Sequence, residues 1–309
     1  MQPLVSVIIP TYNCENYILE TINCILGQDY PAIELIVVDD GSTDKTQEII
    51  ESFGPKVKLL KQQNSGVCKS RNRGISAASG QFICLMDHDD YWFPNKISAQ
   101  LKCFEDYPEV GVVYSSFTLW HADIQGKFPN PDNFTSSANG IDIEYSGWIY
   151  HLLLLDCWVL TSTAMFRLEV FHECGNFDEK LPFSEDWDLW LRISRSYQFL
   201  KINNITTLYR QHKNQGNKVV RPIDYRCNLL LRAYTTWGLC SPDGQCLTKL
   251  QFSRQLSLYH TEFGLSQLCS NGSLSIAIKS FLRAWLAFPL NIKSLAYLFA
   301  AIFGWQPSW

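Results

Sequence analysis

The sequence has no C-x-x-C pair and no Cys/His set at zinc-ligand spacing, so a structural zinc module is excluded. No G-x-G-x-x-G follows a strand-like run and no G-x-x-x-x-G-K-[ST] occurs. That removes a nicotinamide-dependent dehydrogenase and a P-loop phosphotransferase. The opening MQPLVSVIIPTYN lacks a basic segment ahead of a long apolar core and cleavage site, and reads as a first strand rather than a signal peptide. Lys279, Arg283 and Lys293 break the C-terminal apolar stretch, leaving no run of the about 18–20 residues that would cross a bilayer. Charged residues are only 18% of the chain, and internal repeats are absent.

What is present is an ordinary globular balance, 46% hydrophobic, over 309 residues. That length suits one domain of about 200–250 residues with an extension. Aromatics reach 14% with ten Trp, read mainly as core, with some as platforms for sugar or base rings. The eleven Cys are an odd number, several inside apolar runs, as Cys84 is. They read as small buried hydrophobes in a reducing, cytoplasmic compartment. The Asn-x-Ser/Thr triplets at Asn133, Asn204 and Asn271 are then chance occurrences.

Charge is unevenly placed. Residues 1–215 carry 17 Lys/Arg against 27 Asp/Glu, and residues 216–309 carry 9 against 3. An acidic first part argues against nucleic acid as a partner, since a phosphate backbone calls for a basic face. The basic, apolar tail at 270–309 is a candidate peripheral contact with the inner membrane face; packing as a plain helical layer, or against a homodimer partner, is the alternative.

Over the first 117 residues strand and helix patterns alternate. Val5–Ile9, Glu34–Asp39, Val57–Leu60, Phe82–Met86 and Val110–Tyr114 read as strands. Between them lie helical patterns: Ile18, Ile22 and Ile25; a helix capped by Ser42 or Thr43; a polar helix over about 67–77; and one with Pro94 in its first turn. Continuous apolar strands alternating with amphipathic helices imply a largely parallel sheet covered on both faces, with ligands at the strands' carboxyl ends. Residues 118–147 read as a long insertion, and order returns with Trp148–Leu155, a strand-like Thr161–Phe166, a helix over about 185–196 and a strand Ile202–Tyr209. Beyond 216 the chain turns helical, with Leu274, Ile278, Phe281, Trp285 and Phe288 on one face.

Acidic groups fall at those strand ends. Asp39-Asp40-Gly41-Ser42 can accept hydrogen bonds from a base or ribose, although such residues also suit an ordinary turn. Asp87-His88-Asp89-Asp90 sets three carboxylates in four residues at a buried strand's end. Like charges so close need a cation or donors to compensate, and hard oxygen ligands suit Mg²⁺ or Mn²⁺ shared with diphosphate oxygens. The alternative is a solvated acidic loop, and His88 alternates away from the carboxylates. Glu185-Asp186-Trp187-Asp188 opens a helix whose dipole keeps carboxylates ionised, so one of them can act as a general base, although taken alone the motif reads first as an ordinary acidic first helical turn. Arg71 and Arg73 in SRNRG can meet phosphate or base edges, Arg73 more plausibly pairing at the surface. Tyr209-Arg210-Gln211-His212 ends a strand where His212 can touch metal or diphosphate.

Taken in order, VSVIIPTYNCENYILETINCILGQDY, ELIVVDDGSTDKT, NSGVCKSRNRGI, FICLMDHDDYWFPNKI, GNFDEKLPFSEDWDLWLRI and LYRQH resemble glycosyltransferase family 2, inverting transferases of the GT-A fold. The likeness covers about residues 4–212. It implies an α/β fold, a Rossmann-like, mostly parallel sheet flanked by helices, with a catalytic domain at 1–215 and a helical C-terminal extension at 216–309. It implies nucleotide binding by Pro10, Thr11, Tyr12, Asp40, Arg71 and Asp87. Asp89 and His212 would hold a divalent metal, Mg²⁺ or Mn²⁺. Asp186 would be the catalytic base, with Glu185 and Trp187 near the acceptor. The small departures, Lys69-Ser70 before Arg71 and Gly175-Asn176 before Phe177, remove no chemical group from this set.

The implied reaction moves a sugar from a nucleoside-diphosphate donor, such as a UDP-sugar, to a hydroxyl of a glycan or glycolipid acceptor, in polysaccharide or glycolipid synthesis. Two other classes compete. A sugar nucleotidyltransferase would want a Gly-rich triphosphate loop near the first strand, and none is seen. A non-catalytic glycan-binding module would not need so many placed carboxylates.

Overall fold

The computed structural model describes residues 2–134, 139–213, 215–270 and 272–304. Residues up to 149 together with 157–212 form one compact unit, and 150–156 together with the residues from 213 onward form another.

In the first unit the elements run β1 (Val5–Thr11), α1 (Ile18–Leu26), β2 (Ile33–Asp39), α2 (Thr46–Glu51), β3 (Lys58–Lys61), α3 (Val67–Ala77), β4 (Phe82–Leu85), β5 (Tyr91–Trp92), α4 (Lys96–Asp106) and β6 (Val110–His121). The second unit interposes α5 (Tyr150–Leu153), after which come β7 (Met165–Arg167), α6 (Leu168–Cys174), α7 (Glu185–Ile193) and β8 (Gln198–Gln211). The eight strands make one sheet in the order β3-β2-β1-β4-β7-β6-β8-β5. The pairs β1–β2, β2–β3, β1–β4 and β6–β8 are parallel; β7 is antiparallel to β4 and β6, and β5 to β8. This is the mixed α/β, mostly parallel sheet that the alternating pattern implies.

β1 is buried along its whole length, as a strand covered on both faces must be. Its Val5, Val7 and Ile9 join Ile18, Ile22, Val37 and Cys84 in the main core. Helix α3 lies close on β1 because Gly74 has no side chain: a Cβ there would meet Ile8 Cγ2 at 2.3 Å. Strand β8 is 14 residues long and carries extra residues where Ser115–Ile202 pairing jumps to Ser116–Ile205 and then to Phe117–Thr207. These bulges set which side chains at its far end face inward.

Four local expectations need correction. Residues 118–121 continue β6, because eleven of its twelve residues pair with the long β8. Thr161–Thr163 is a single 3₁₀ turn, and the strand is the short Met165–Arg167 that follows. Helix α2 begins at Thr46, whose amide donates to Asp44, since Ser42 and Thr43 are drawn into contacts with Asn13. Pro94 lies in the turn just before α4.

The second unit continues with α8 (Tyr225–Trp237), α9 (Lys249–Cys269), α10 (Leu274–Ala287) and α11 (Ile292–Ile302). Thr248 and Gln251 form a reciprocal capping box on α9. Among the described residues no helix is long and apolar enough to cross a membrane. Helix α10 buries Ala277, Ser280, Phe281 and Ala284 rather than the larger stripe through Leu274 and Trp285, because small residues let it lie close to its neighbours. Cys240 and Cys246 are joined by a disulfide, correcting the reading of all cysteines as free; a turn with Ser241 N–H donating to the Gln245 carbonyl brings them together. The other nine are free thiols.

Candidate functional site

The carboxyl ends of β1 and β2 meet at a loop clipped together by side chains. Asn13, in the left-handed region at φ 47°, accepts from the Thr43 amide at 2.8 Å and donates its own amide to Ser42 Oγ at 2.9 Å. Asp44 accepts the Glu15 amide and the Glu15 side chain accepts the Lys45 amide. Pro10 and Thr11 are buried at the strand end, while Tyr12 is exposed beside them. Asn13 was not singled out from sequence, yet Asn is among the few residues that adopt this conformation readily.

Asp40 is nearly buried and accepts three protein donors: Gln62 Nε2 at 2.7 Å, the Ser65 amide at 2.9 Å and the Gly66 amide at 2.8 Å. The carboxylate expected to face a base edge thus also fixes the 62–66 loop. Gly41, at φ 81°, makes the turn after it.

The three carboxylates after β4 separate into different tasks. Asp90 is fully buried and accepts from Ser162 Oγ at 2.6 Å and the Arg210 amide at 3.1 Å. Burial, with the charges of Asp89 and Asp87 beside it, pushes its pKa well above the carboxylate range. It is a structural group. Burial pulls Asp89 upward, but the His212 contact, Nε2 lying 2.7 Å from Asp89 Oδ2, together with neighbouring His88 and a backbone hydrogen bond holds the carboxyl below its ordinary value. Asp87, the most open of the three, accepts from Arg71 Nη2 at 2.7 Å, and its amide donates to Ser162 Oγ.

Arg210 locks this corner. Its Nε donates to the Asp89 carbonyl at 2.6 Å, its other arm pairs with Glu20, and the guanidinium lies over the rings of Trp120, Tyr17 and Phe128. Sequence reading passed over Arg210 as one letter of Tyr-Arg-x-His. Its fixed fork on aromatic faces is what an Arg, and not a Lys, can supply.

The second acidic group arrives on α7. Ser184 precedes it in the left-handed conformation, φ 61°, and turns Glu185 and Asp186 toward the strand ends. Arg71 reaches both sides: Nη1 donates to Glu185 Oε1 at 2.8 Å while Nη2 holds Asp87. Burial alone would lower the Arg71 pKa, but the two carboxylates raise it, so it remains a cation. Asp186 accepts from the Trp187 amide at 2.7 Å and from Thr161 Oγ1 at 3.4 Å. Burial, then the charge of Glu185, pushes its pKa up to about 7, against the lowering effect of Arg71. Asp188 is occupied by Arg192 at 3.0 Å.

Trp187, expected near the acceptor, is 3% exposed and is one of the buried hydrophobic residues. Asp87, Arg71, Glu185 and Asp186 are brought together, as are Asp89 and His212. Asp40 is joined through Gln62 to Ser70, the residue before Arg71. Among the described residues two buried polar side-chain atoms lack a partner, Thr11 Oγ1 and Arg71 Nε, and both belong to the expected nucleotide-binding set.

Asp89 and His212, the expected metal ligands, lie together, and with Asp87 on the neighbouring turn they offer oxygen and imidazole groups of the kind a divalent cation takes. They form no closed cage: the one tight cluster of three ligand types among the described residues is Asp224, Cys227 and His260 in the other unit. An open site of this kind suits a Mg²⁺-like ion that takes its other ligands from substrate phosphates and water.

A mostly parallel sheet with carboxylates gathered at its strand ends is the GT-A type of α/β fold. S. aureus TarS 1–349 in complex with UDP superposes with a TM-score of 0.64 at 20% identity, over 97% of this chain and 87% of that one. The family described as Glycosyl transferase family 2 matches residues 6–136. The Escherichia coli UDP-Glc:alpha-D-GlcNAc-diphosphoundecaprenol beta-1,3-glucosyltransferase WfaP is 30% identical over 218 residues, 68% of this chain and 78% of WfaP. An uncharacterized glycosyltransferase of Rickettsia bellii is 33% identical over 239 residues, 75% of this chain and 33% of that protein. The chain belongs to glycosyltransferase family 2. It spans 33–60% of the length of the Rickettsia glycosyltransferases that it matches.

Proposed function

We propose that the chain is a metal-dependent, inverting hexosyltransferase. It moves a sugar from a nucleoside-diphosphate donor, a UDP-sugar, to a hydroxyl of a glycan or glycolipid acceptor. The observation that carries this reading is Arg71, a buried cation joining Asp87 at the end of β4 to Glu185 beside Asp186. It gathers a phosphate-side carboxylate and a base candidate from positions almost a hundred residues apart. The UDP bound by TarS and the UDP-Glc donor of WfaP support a uridine nucleotide. The acceptor of WfaP supports a lipid-linked diphosphate sugar.

In the reaction the acceptor oxygen forms a bond to the anomeric carbon. The carbon–oxygen bond to the diphosphate breaks with its electron pair, and the acceptor proton passes to Asp186. A pKa of about 7 suits that exchange near neutral pH. Mg²⁺ or Mn²⁺, which Asp89 and His212 would hold with Asp87 toward the ribose and diphosphate, would neutralise charge on the leaving diphosphate. Pro10, Thr11 and Tyr12 would line the base pocket, with Asp40 turning its remaining acceptor capacity to the base edge. Glu185, set near the acceptor by sequence, would act by fixing Arg71. Residues 1–215 would be the catalytic part and 216–309 a helical extension. That extension would touch the inner membrane face through 270–309, or a second copy; residues 271 and 305–309 of that stretch lie outside those described.

A thermal-shift panel of nucleotide sugars with Mn²⁺ and Mg²⁺, followed by nucleotide release on turnover, tests the reading. UDP-sugars should stabilise the chain only with metal, and UDP should be released. Pyrophosphate release would make it a nucleotidyltransferase, and full activity in chelator would remove the metal.

A further inference from the structure

We infer that the helical unit carries a phospholipid-headgroup site, a cavity built around Lys279 and Arg283. This deepens, and rests on, the proposed peripheral contact through 270–309. The cavity measures about 200 Å³ and is lined by Asp224, Asn228, Phe263, Lys279, Ser280 and Arg283 among others. That is below the roughly 300–1,000 Å³ of sites for drug-sized ligands, and suits a compact headgroup. Lys279 and Arg283 stand one helical turn apart on α10, and neither has an acidic partner among the described residues. Two like charges at that spacing repel unless an anion is shared between them.

The acidic wall of the cavity is engaged internally. Asp224 accepts from His260 Nδ1 at 2.8 Å with one oxygen and from the Cys227 amide at 3.1 Å with the other. Ser280 Oγ donates to the His260 carbonyl at 2.7 Å. The two cations, with the Asn228 side chain, are therefore the groups left to meet a ligand.

What surrounds them decides the source of the phosphate. Opposite the buried face of α10, the solvent face carries Leu282 and Leu286 together with Lys279 and Arg283. Leu290, Ile292, Phe299 and Phe303 continue the exposed apolar surface, each more than half exposed. Large apolar side chains set among unpaired cations match a bilayer surface, where acyl chains take the leucines and anionic headgroups the lysine and arginine. A second copy of this chain fits less well, since a two-fold pairing of the face would oppose like charges.

The test is flotation of the full chain with vesicles of phosphatidylcholine alone or with phosphatidylglycerol added. Wild type should float with the anionic vesicles and stay behind with the neutral ones. Lys279→Gln/Arg283→Gln should bind anionic vesicles about 30-fold more weakly, two surface charges being lost. UDP-sugar binding should be unchanged, which also shows that the variant is folded. Wild type that floats with neutral vesicles equally well, or a double variant that floats as wild type does, overturns the headgroup site and leaves the peripheral contact standing. No flotation of wild type overturns both. Binding of inorganic phosphate without any vesicle binding, lost in the double variant, assigns the cavity to a free anion and overturns the lipid source. None of these outcomes touches the transfer reaction, which is read separately with a soluble acceptor.

Discussion

His212 Nε2 lies 2.7 Å from Asp89 Oδ2, joining the residue after β8 to the acidic end of β4. Both are largely shielded, so the contact is made away from the full screening of bulk water. Asp89→Ala should abolish Mn²⁺-dependent donor binding. His212→Ala should weaken it about 10- to 100-fold, as loss of a group that orients a metal ligand does. Calorimetric titration of UDP-sugar with and without Mn²⁺ reads both. Wild-type affinity in the two variants would separate this pair from the metal.

Asp186→Asn should keep donor affinity and reduce kcat by about 10²–10⁴, the usual worth of a general base. In the native protein kcat/KM should rise with pH through about 7, because the ionised form accepts the proton. Stability has the opposite sign. The native carboxyl holds its proton up to about 7, whereas the unfolded one releases it near 3.8. The stabilising contribution is therefore present in full below 3.8 and is lost as pH rises through 7. Melting temperatures across this range should lose that slope in Asp186→Asn; an unchanged slope would assign it to another group.

Arg71→Ala should destabilise by about 3–5 kcal/mol, because it strands Asp87 and Glu185 in a shielded site without their cation. Arg71→Lys should rescue little, since an ammonium cannot reach both carboxylates with a planar fork. Urea unfolding measures both. A loss below about 1 kcal/mol in Arg71→Ala would mean that the two carboxylates part on their own.

Lys96 is fully buried, with its ammonium on Gln100 Oε1 at 2.7 Å and 4.0 Å from the Trp92 ring centre. Burial lowers its pKa from 10.5 to about 8. Between those values the unfolded chain binds the proton that the native one has released, so stability should rise with pH from about 8 to 10.5. Lys96→Met should remove the rise. Chemical denaturation at three pH values across that window would show it, and a parallel rise in the variant would dismiss Lys96 as its source.

The parts legible in the sequence are those written in local patterns. Val5–Thr11, Ile33–Asp39 and Phe82–Leu85 announce themselves by mostly apolar runs, and the acidic residues at the ends of the second and third mark strand ends. The division of labour within Asp87–Asp90 was not legible, because it depends on Ser162, Arg210 and His212, brought in by distant segments. The depth of Trp187, 3% exposed, was not legible either, since one residue's offset along α7 decides which way a ring points. The three-residue β7 was too short to show a period, and the Cys240–Cys246 pair depends on a turn that no cysteine motif describes.

The register jumps in β8 make the reading frame of residues 203–206 matter as much as their identity. Side chains on a strand alternate, so one residue added or removed there would exchange the places of Arg210 and Gln211. Asp89 and Asp90 would lose their clamp without being altered themselves. Insertions and deletions in this half-buried, unremarkable-looking stretch should therefore be as damaging as substitutions among Asp87, Asp89 and Asp90 themselves.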